Sequence, residues 1–182
     1  MDIDPPLSEE QRGFLRSRIR SVPDFPHPGI LFRDITPLLA DPQALAMTFY
    51  ALALPLLATG VDAVLAIESR GFIFGAAVAE RIGCAFVPVR KPGKLPSRTT
   101  RVAYELEYGK GELEVHADSL RPGAKVVVID DLLATGGTAR AAAELAQKLG
   151  AHVLRHLFVI ELEALGGRGA LSPTPVSALL KF

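Results

Sequence analysis

The stretch VVVIDDLLATGGT, residues 126–138, decides the fold class of this chain. Val126 to Ile129 are apolar and β-branched, the pattern of a parallel strand buried on both faces. Asp130 and Asp131 stand at its carboxyl end. Leu132 to Thr135 read as a short loop, and Gly136–Gly137 let backbone N–H groups turn inward with no Cβ in the way. Alanine-rich sequence from Ala139 predicts a helix. Strand, acidic pair, glycine loop and helix N-terminus in this order build two adjacent sites. The loop N–H groups and the helix dipole suit a phosphate. The carboxylates suit sugar hydroxyls, which donate hydrogen bonds to them. A phosphate beside a diol describes a ribose 5-phosphate. No Gly-Lys-Ser/Thr closes the loop, so it is not a Walker A motif, and it is not G-x-G-x-x-G.

Outward from this stretch, strand and helix patterns alternate. Ser8 with Gln11 forms a capping box for a helix over 8–20. Residues 21–37, punctuated by Pro23, Pro26 and Pro28, read as a long ordered loop. Asp41–Pro42 starts a helix reaching about Thr59. Strands follow at 61–67, 85–89, 153–160 and 176–182, with helices at 71–81 and 138–149. Residues 91–101 read as a loop, and 104–108 with 112–116 as a hairpin turning at Gly109–Lys110–Gly111. The segment 92–116 is too polar, and too rich in Gly and Pro, to be core.

The alternation predicts an α/β fold with a parallel sheet. Ligands in such sheets gather at the carboxyl ends of strands. Three of those ends are polar, at Glu68-Ser69-Arg70, Arg90-Lys91 and Asp130-Asp131, and they should converge on one pocket. Arg70 can hold phosphate oxygens bidentately. Arg90, Lys91 and Lys94 put three cations in one short loop, suited to a second anion.

The bulk numbers agree with a single domain over 1–182: 49% of residues are hydrophobic and 22% charged. Basic and acidic residues balance at 20 each, which points to neither a nucleic-acid nor a membrane partner and permits self-association. The polar, acidic MDIDPPLSEEQ reads as neither signal nor transit peptide, and no apolar run reaches the roughly 18 residues of a membrane span. One cysteine, Cys84, excludes an intrachain disulfide, fits a cytoplasmic location, and reads as a small core residue. Gly71 and Gly75 signal close helix packing. His152 and His156 lie on a strand, where their spacing spans about 13 Å, too far for chelation. The histidines are expected at satisfied surface or rim positions.

The run 126–138 resembles the phosphoribosyl pyrophosphate (PRPP) signature of the type I phosphoribosyltransferases. With PDFPHPGILFRDITPLL (23–39), ESRGFIFG (68–75), VRKPGKLP (89–96) and YELEYGKGELEVH (104–116), nearly the whole chain resembles the adenine phosphoribosyltransferase family. FRDI and LEYGKGELE carry the likeness to the adenine branch rather than the hypoxanthine, uracil or orotate branches.

The resemblance implies a type I core with a small N-terminal hood (1–40) and a flexible catalytic loop or hairpin (92–116). It implies conversion of adenine and PRPP to AMP and pyrophosphate, with Mg²⁺, by a homodimer. Asp130 and Asp131 would bind the ribose diol, and Ala134, Thr135, Gly136, Gly137 and Thr138 the 5′-phosphate. Ser69, Arg70, Arg90, Lys91 and Lys94 would meet pyrophosphate, some from the dimer mate. Leu31, Phe32 and Arg33 would enclose adenine and read its edge through backbone groups. Glu107 and Arg70 would be catalytic. Magnesium would be held mainly by PRPP and water near Asp130 and Asp131, with no direct protein ligand expected. The peptide Glu68–Ser69 is often cis in the family. Two rival readings stand: an enzyme for a 6-oxopurine, and a PRPP-sensing regulator. The second would need a DNA-binding segment for which 182 residues leave no room.

Overall fold

The computed structural model describes residues 7–105 and 110–182. Helix α1 (Glu9–Ser17) opens with the expected capping box, in which Ser8 and Gln11 bond reciprocally. It ends before residue 20, because Arg20 already belongs to a strand. The proline-rich stretch is not a continuous loop. Strands β1 (Arg20–Pro23) and β2 (Leu31–Asp34) pair antiparallel within it, and α2 (Thr36–Ala40) follows. Short edge pairs of this kind carry no period long enough to read. Asp41 caps α3 (Pro42–Ala53) by accepting from the N–H groups of Gln43 and Ala44. That helix stops short of Thr59, giving way to a 3₁₀ turn, Leu54–Leu56, around Pro55.

Strand β3 (Ala63–Ile67) leads into α4 (Gly71–Ile82), which Gly83 ends at φ 71°. Strand β4 (Ala85–Val89) follows, then β5 (Thr99–Glu105) and β6 (Lys110–His116). The last two pair antiparallel, with Glu105 opposite Lys110 and Tyr104 opposite Gly111. Lys110 and Gly111 therefore lie within a strand rather than at the expected turn, and β5 begins inside the expected 91–101 loop.

The signature strand β7 (Lys125–Leu133) runs through the acidic pair instead of stopping at Ile129, since Leu132 and Leu133 still pair with Ile160 and Glu161. Helix α5 (Gly137–Lys148) starts correspondingly early. Strand β8 (His152–Glu161), a short helix α6 (Gly167–Ala170) and β9 (Val176–Lys181) complete the chain.

Five parallel strands form one sheet in the order β4-β3-β7-β8-β9. The period-2 alternation of its central strands divides the core. Leu65, Ile67, Val126 and Val128 face α5 and the β5–β6 ribbon. Val64, Ala66, Val127 and Ile129 face α1, α3 and α4. The expectation that 92–116 contributes no core is overturned: Val102, Leu113 and Val115 of the ribbon are buried. Gly75 lets α4 lie on β3, because a Cβ there would collide with that of Ala66. Cys84 is only partly buried, at the margin of the α4 side. His156 is not at the rim but 1% exposed in the sheet, and among the described residues its Nδ1 has no hydrogen-bond partner. The buried Nε2 of half-buried His116 likewise finds none among them. No helix among the described residues is long and apolar enough to cross a membrane.

Candidate active site

The carboxyl ends of β3 and β7 open into a cavity of about 410 Å³. Its wall includes Glu68–Arg70, Lys91, Tyr104 and the run from Asp130 to Ala139. Ser69, Arg70, Lys91, Asp130, Asp131 and residues 134–138 are thus brought together as expected. The Glu68–Ser69 peptide is cis, as the resemblance implied.

Glycine makes the acidic corner possible. A Cβ on Gly71 would lie 2.8 Å from Asp130 Oδ1 and 3.0 Å from the Ile129 carbonyl oxygen. Asp130 is therefore pressed against the first turn of α4. Its Oδ1 accepts from the Asp131 N–H at 2.9 Å. Asp131 is 4% exposed, with Arg70 Nε 2.9 Å from its Oδ2. The Arg70 N–H is out of line, so that oxygen lacks a directed hydrogen bond. Burial, reinforced by the Asp131 charge, pushes the Asp130 carboxyl well above the usual range. Burial also raises Asp131, against the pull of Arg70. Both carboxyls therefore hold their protons more tightly than free aspartates do.

The phosphate side is built from backbone. No side chain caps α5, whose N-cap residue Gly136 has φ 84°. A Cβ on Gly136 would sit 2.6 Å from the Gly167 carbonyl oxygen, and one on Gly167 would strike the carbonyl oxygen of Ala134. The loop thus packs glycine to glycine on α6. Helix α6 is tied in turn to the end of β8, where Arg168 grips Glu161 with Nε at 3.1 Å and Nη2 at 2.5 Å. An uncapped helix start with a rigid backing is an anion cradle.

Other expected residues stand apart from the wall. Arg90 Nε binds Glu68 Oε2 at 2.7 Å, and its Nη1 binds the Lys94 carbonyl at 2.9 Å. Arg90 thereby ties the two cationic segments together. Lys94 is held by its own N–H, which donates to Glu114 Oε1 at 3.2 Å. Burial would raise the Glu114 carboxyl, but Leu95 N–H, Thr99 hydroxyl, Lys94 N–H and Arg101 outweigh it and hold it below the usual range. On β2, Leu31 is exposed, and the Arg33 guanidinium lies 4.2 Å from the Phe182 ring centre. Phe32 reaches closest to the site, 5.4 Å from the Arg70 guanidinium. Glu107 lies outside the described residues.

Sequence reading missed Tyr104, Gly167 and the Arg90–Glu68 tie. The unusual glycine density of GGRG (166–169) was the available signal for the second. No three His, Cys, Asp or Glu side chains among the described residues form a metal cage. Asp130 and Asp131 nevertheless offer adjacent hard oxygens of the kind a water-rich Mg²⁺ accepts.

Residues 43–165 match the family model for a phosphoribosyl transferase domain. An adenine phosphoribosyltransferase of Sorangium cellulosum is 57% identical, covering 96% of this chain and 90% of that one. The adenine phosphoribosyltransferase structure from Thermoanaerobacter pseudethanolicus superposes with a TM-score of 0.91 at 47% identity, covering 94% and 99% of the two chains. That from Saccharomyces cerevisiae, complexed with an imino-altritol bisphosphate and adenine, does so with a TM-score of 0.90 at 38% identity, covering 94% and 99%. The fold is thus that of a type I phosphoribosyltransferase. Within that class, the chain belongs to the adenine phosphoribosyltransferase family.

Proposed function

We propose that this chain transfers the 5-phosphoribosyl group of PRPP to adenine, giving AMP and pyrophosphate, in the cavity above β3 and β7. One observation carries the reading. The acceptor pair Asp130–Asp131, the uncapped start of α5 with residues 134–138, and the cations Arg70 and Lys91 share a single cavity. PRPP needs a partner for a diol, for a phosphate and for a pyrophosphate, and each is present.

In this reading Asp130 and Asp131 accept hydrogen bonds from the ribose hydroxyls. Ala134, Thr135, Gly136, Gly137 and Thr138 hold the 5′-phosphate. Loss of pyrophosphate leaves the ribose C1 with oxocarbenium character, so no protein nucleophile is required. Ser69, Arg70 and Lys91 stabilise charge growing on the departing oxygens. Asp130 and Asp131 would help hold, through water, a Mg²⁺ carried in with PRPP, which would supply further neutralisation of the leaving group. Leu31, Phe32 and Arg33 form the adenine wall of an N-terminal hood and aim N9 at C1, a positioning task. Glu107 assists at the base, where water must be kept from PRPP.

We take the working form as a cytoplasmic homodimer. Ile73 of α4 and Phe86 of the edge strand β4 are exposed, and the formal net charge is zero. Lys94, outside its own cavity wall, would then reach the mate's pyrophosphate.

The test is pyrophosphate release from PRPP and Mg²⁺ with adenine, hypoxanthine, guanine, uracil and orotate in turn. We expect adenine to be used far faster than hypoxanthine, because exchanging an amino donor for a carbonyl acceptor leaves buried groups unpaired. Equal turnover would favour the 6-oxopurine reading, and PRPP binding without turnover of any base the regulator.

A further inference from the structure

The β5–β6 ribbon delivers one side chain to the cavity that no phosphate motif contains. Strand β5 lies along α5. At the carboxyl end of that helix Lys148 Nζ donates to the Arg101 carbonyl at 3.1 Å. Three residues further along β5, Tyr104 lines the cavity with Arg70, Lys91 and the 134–139 run. Its ring packs partly on the core beside α5. Its hydroxyl makes no hydrogen bond to any described residue.

The residue opposite explains how the ring is held. Tyr104 pairs across the ribbon with Gly111. A Cβ on Gly111 would lie 2.5 Å from Tyr104 Cζ and 2.8 Å from its hydroxyl oxygen. The phenol end therefore lies over a strand position that only glycine leaves open, an aromatic covering a bare glycine. A phenol fixed in this way, in a cavity wall shared with two cations and an uncapped helix start, is a ready donor to an anionic oxygen.

We propose that Tyr104 is a substrate-binding residue whose hydroxyl donates to a phosphate-group oxygen of PRPP, with Gly111 as the positioning residue that keeps the phenol in place. The proposal rests on the reading of the cavity as the PRPP site. It adds a phenol to the backbone N–H groups, hydroxyls and cations already facing the cavity.

Calorimetric titration of PRPP, pyrophosphate and ribose 5-phosphate separates the possibilities. Tyr104→Phe keeps the ring and so the packing, which an unchanged melting temperature verifies. Its PRPP affinity should fall roughly tenfold, the usual weight of a hydrogen bond to a charged group. A parallel loss for pyrophosphate assigns the leaving-group end; one for ribose 5-phosphate assigns the 5′ end. Gly111→Ala should weaken PRPP in the wild-type background, and far less when combined with Tyr104→Phe. If Tyr104→Phe binds all three anions like the wild type while the wild type binds PRPP, the role of Tyr104 is overturned and the cavity reading stands. A wild type that does not bind PRPP overturns both.

Discussion

The substrate-binding role proposed for Asp130 and Asp131 comes at a cost to the empty protein. The folded state binds the Asp130 proton more tightly than the unfolded chain does, because burial and the Asp131 charge raise its pKa. Stability contributed by that proton is complete at low pH and is lost as pH rises through the raised folded value. Asp130→Asn keeps an oxygen that can accept from the Asp131 N–H and removes the charge. We expect the variant to melt higher than the wild type at pH 7, with the gap closing toward pH 4, and to bind PRPP about tenfold more weakly. Calorimetric melting and titration of one preparation check both. A variant less stable than the wild type at pH 7 would contradict the assigned strain. The role proposed for Asp130 rests on its place after VVVI. The contact of Asp130 with Gly71 was not readable there, since that depends on β3 and β7 being neighbours in the sheet.

At the scale of elements, glycine positions in helices divide by what faces them. Gly75 of α4 lies on β3, where a Cβ would strike Ala66 and reach Phe86 and Val64 at 3.4 Å. Gly13 of α1 has nothing within 4 Å. The same substitution should therefore act in opposite directions. Gly75→Ala should destabilise by about 1–3 kcal/mol through overpacking. Gly13→Ala should stabilise by about 0.5–1 kcal/mol, because alanine loses less backbone freedom in a helix. Urea unfolding of the two variants measures both, and a common sign would refute the packing argument. The capped starts of α1 and α3 were legible to about a residue because the caps are local chemistry; their ends were not. The β1–β2 pair and the extension of β7 to Leu133 were not, because distant partners supply their hydrogen bonds.

For the whole molecule, the burial of His156 within the sheet adds an acid-sensitive term. Burial lowers its pKa from 6.5 to about 4. The unfolded chain binds this proton more readily, so stability is full above pH 6.5 and is lost as pH falls toward 4. At pH 5 the loss is roughly 2 kcal/mol, on the order of 5 °C in melting temperature. Asp130 shifts in the opposite sense, so the histidine term must be isolated by substitution. His156→Leu should lose less of its melting temperature than the wild type between pH 7 and pH 5; equal losses would remove His156 from the account. No period or motif marked this histidine as buried. HVLRHLFVI reads as a strand, but which face β8 turns inward depends on its pairing with β7 and β9.

The sequence by itself determined the parallel α/β class, the acidic pair, the glycine loop and the family, since each is written in contiguous residues whose local chemistry suffices. Only the tertiary structure decided that the β5–β6 ribbon is core, that Arg90 ties Glu68 to Lys94, and that Tyr104 enters the cavity. Those outcomes turn on contacts between segments far apart in the chain, where neither periodicity nor spacing carries information.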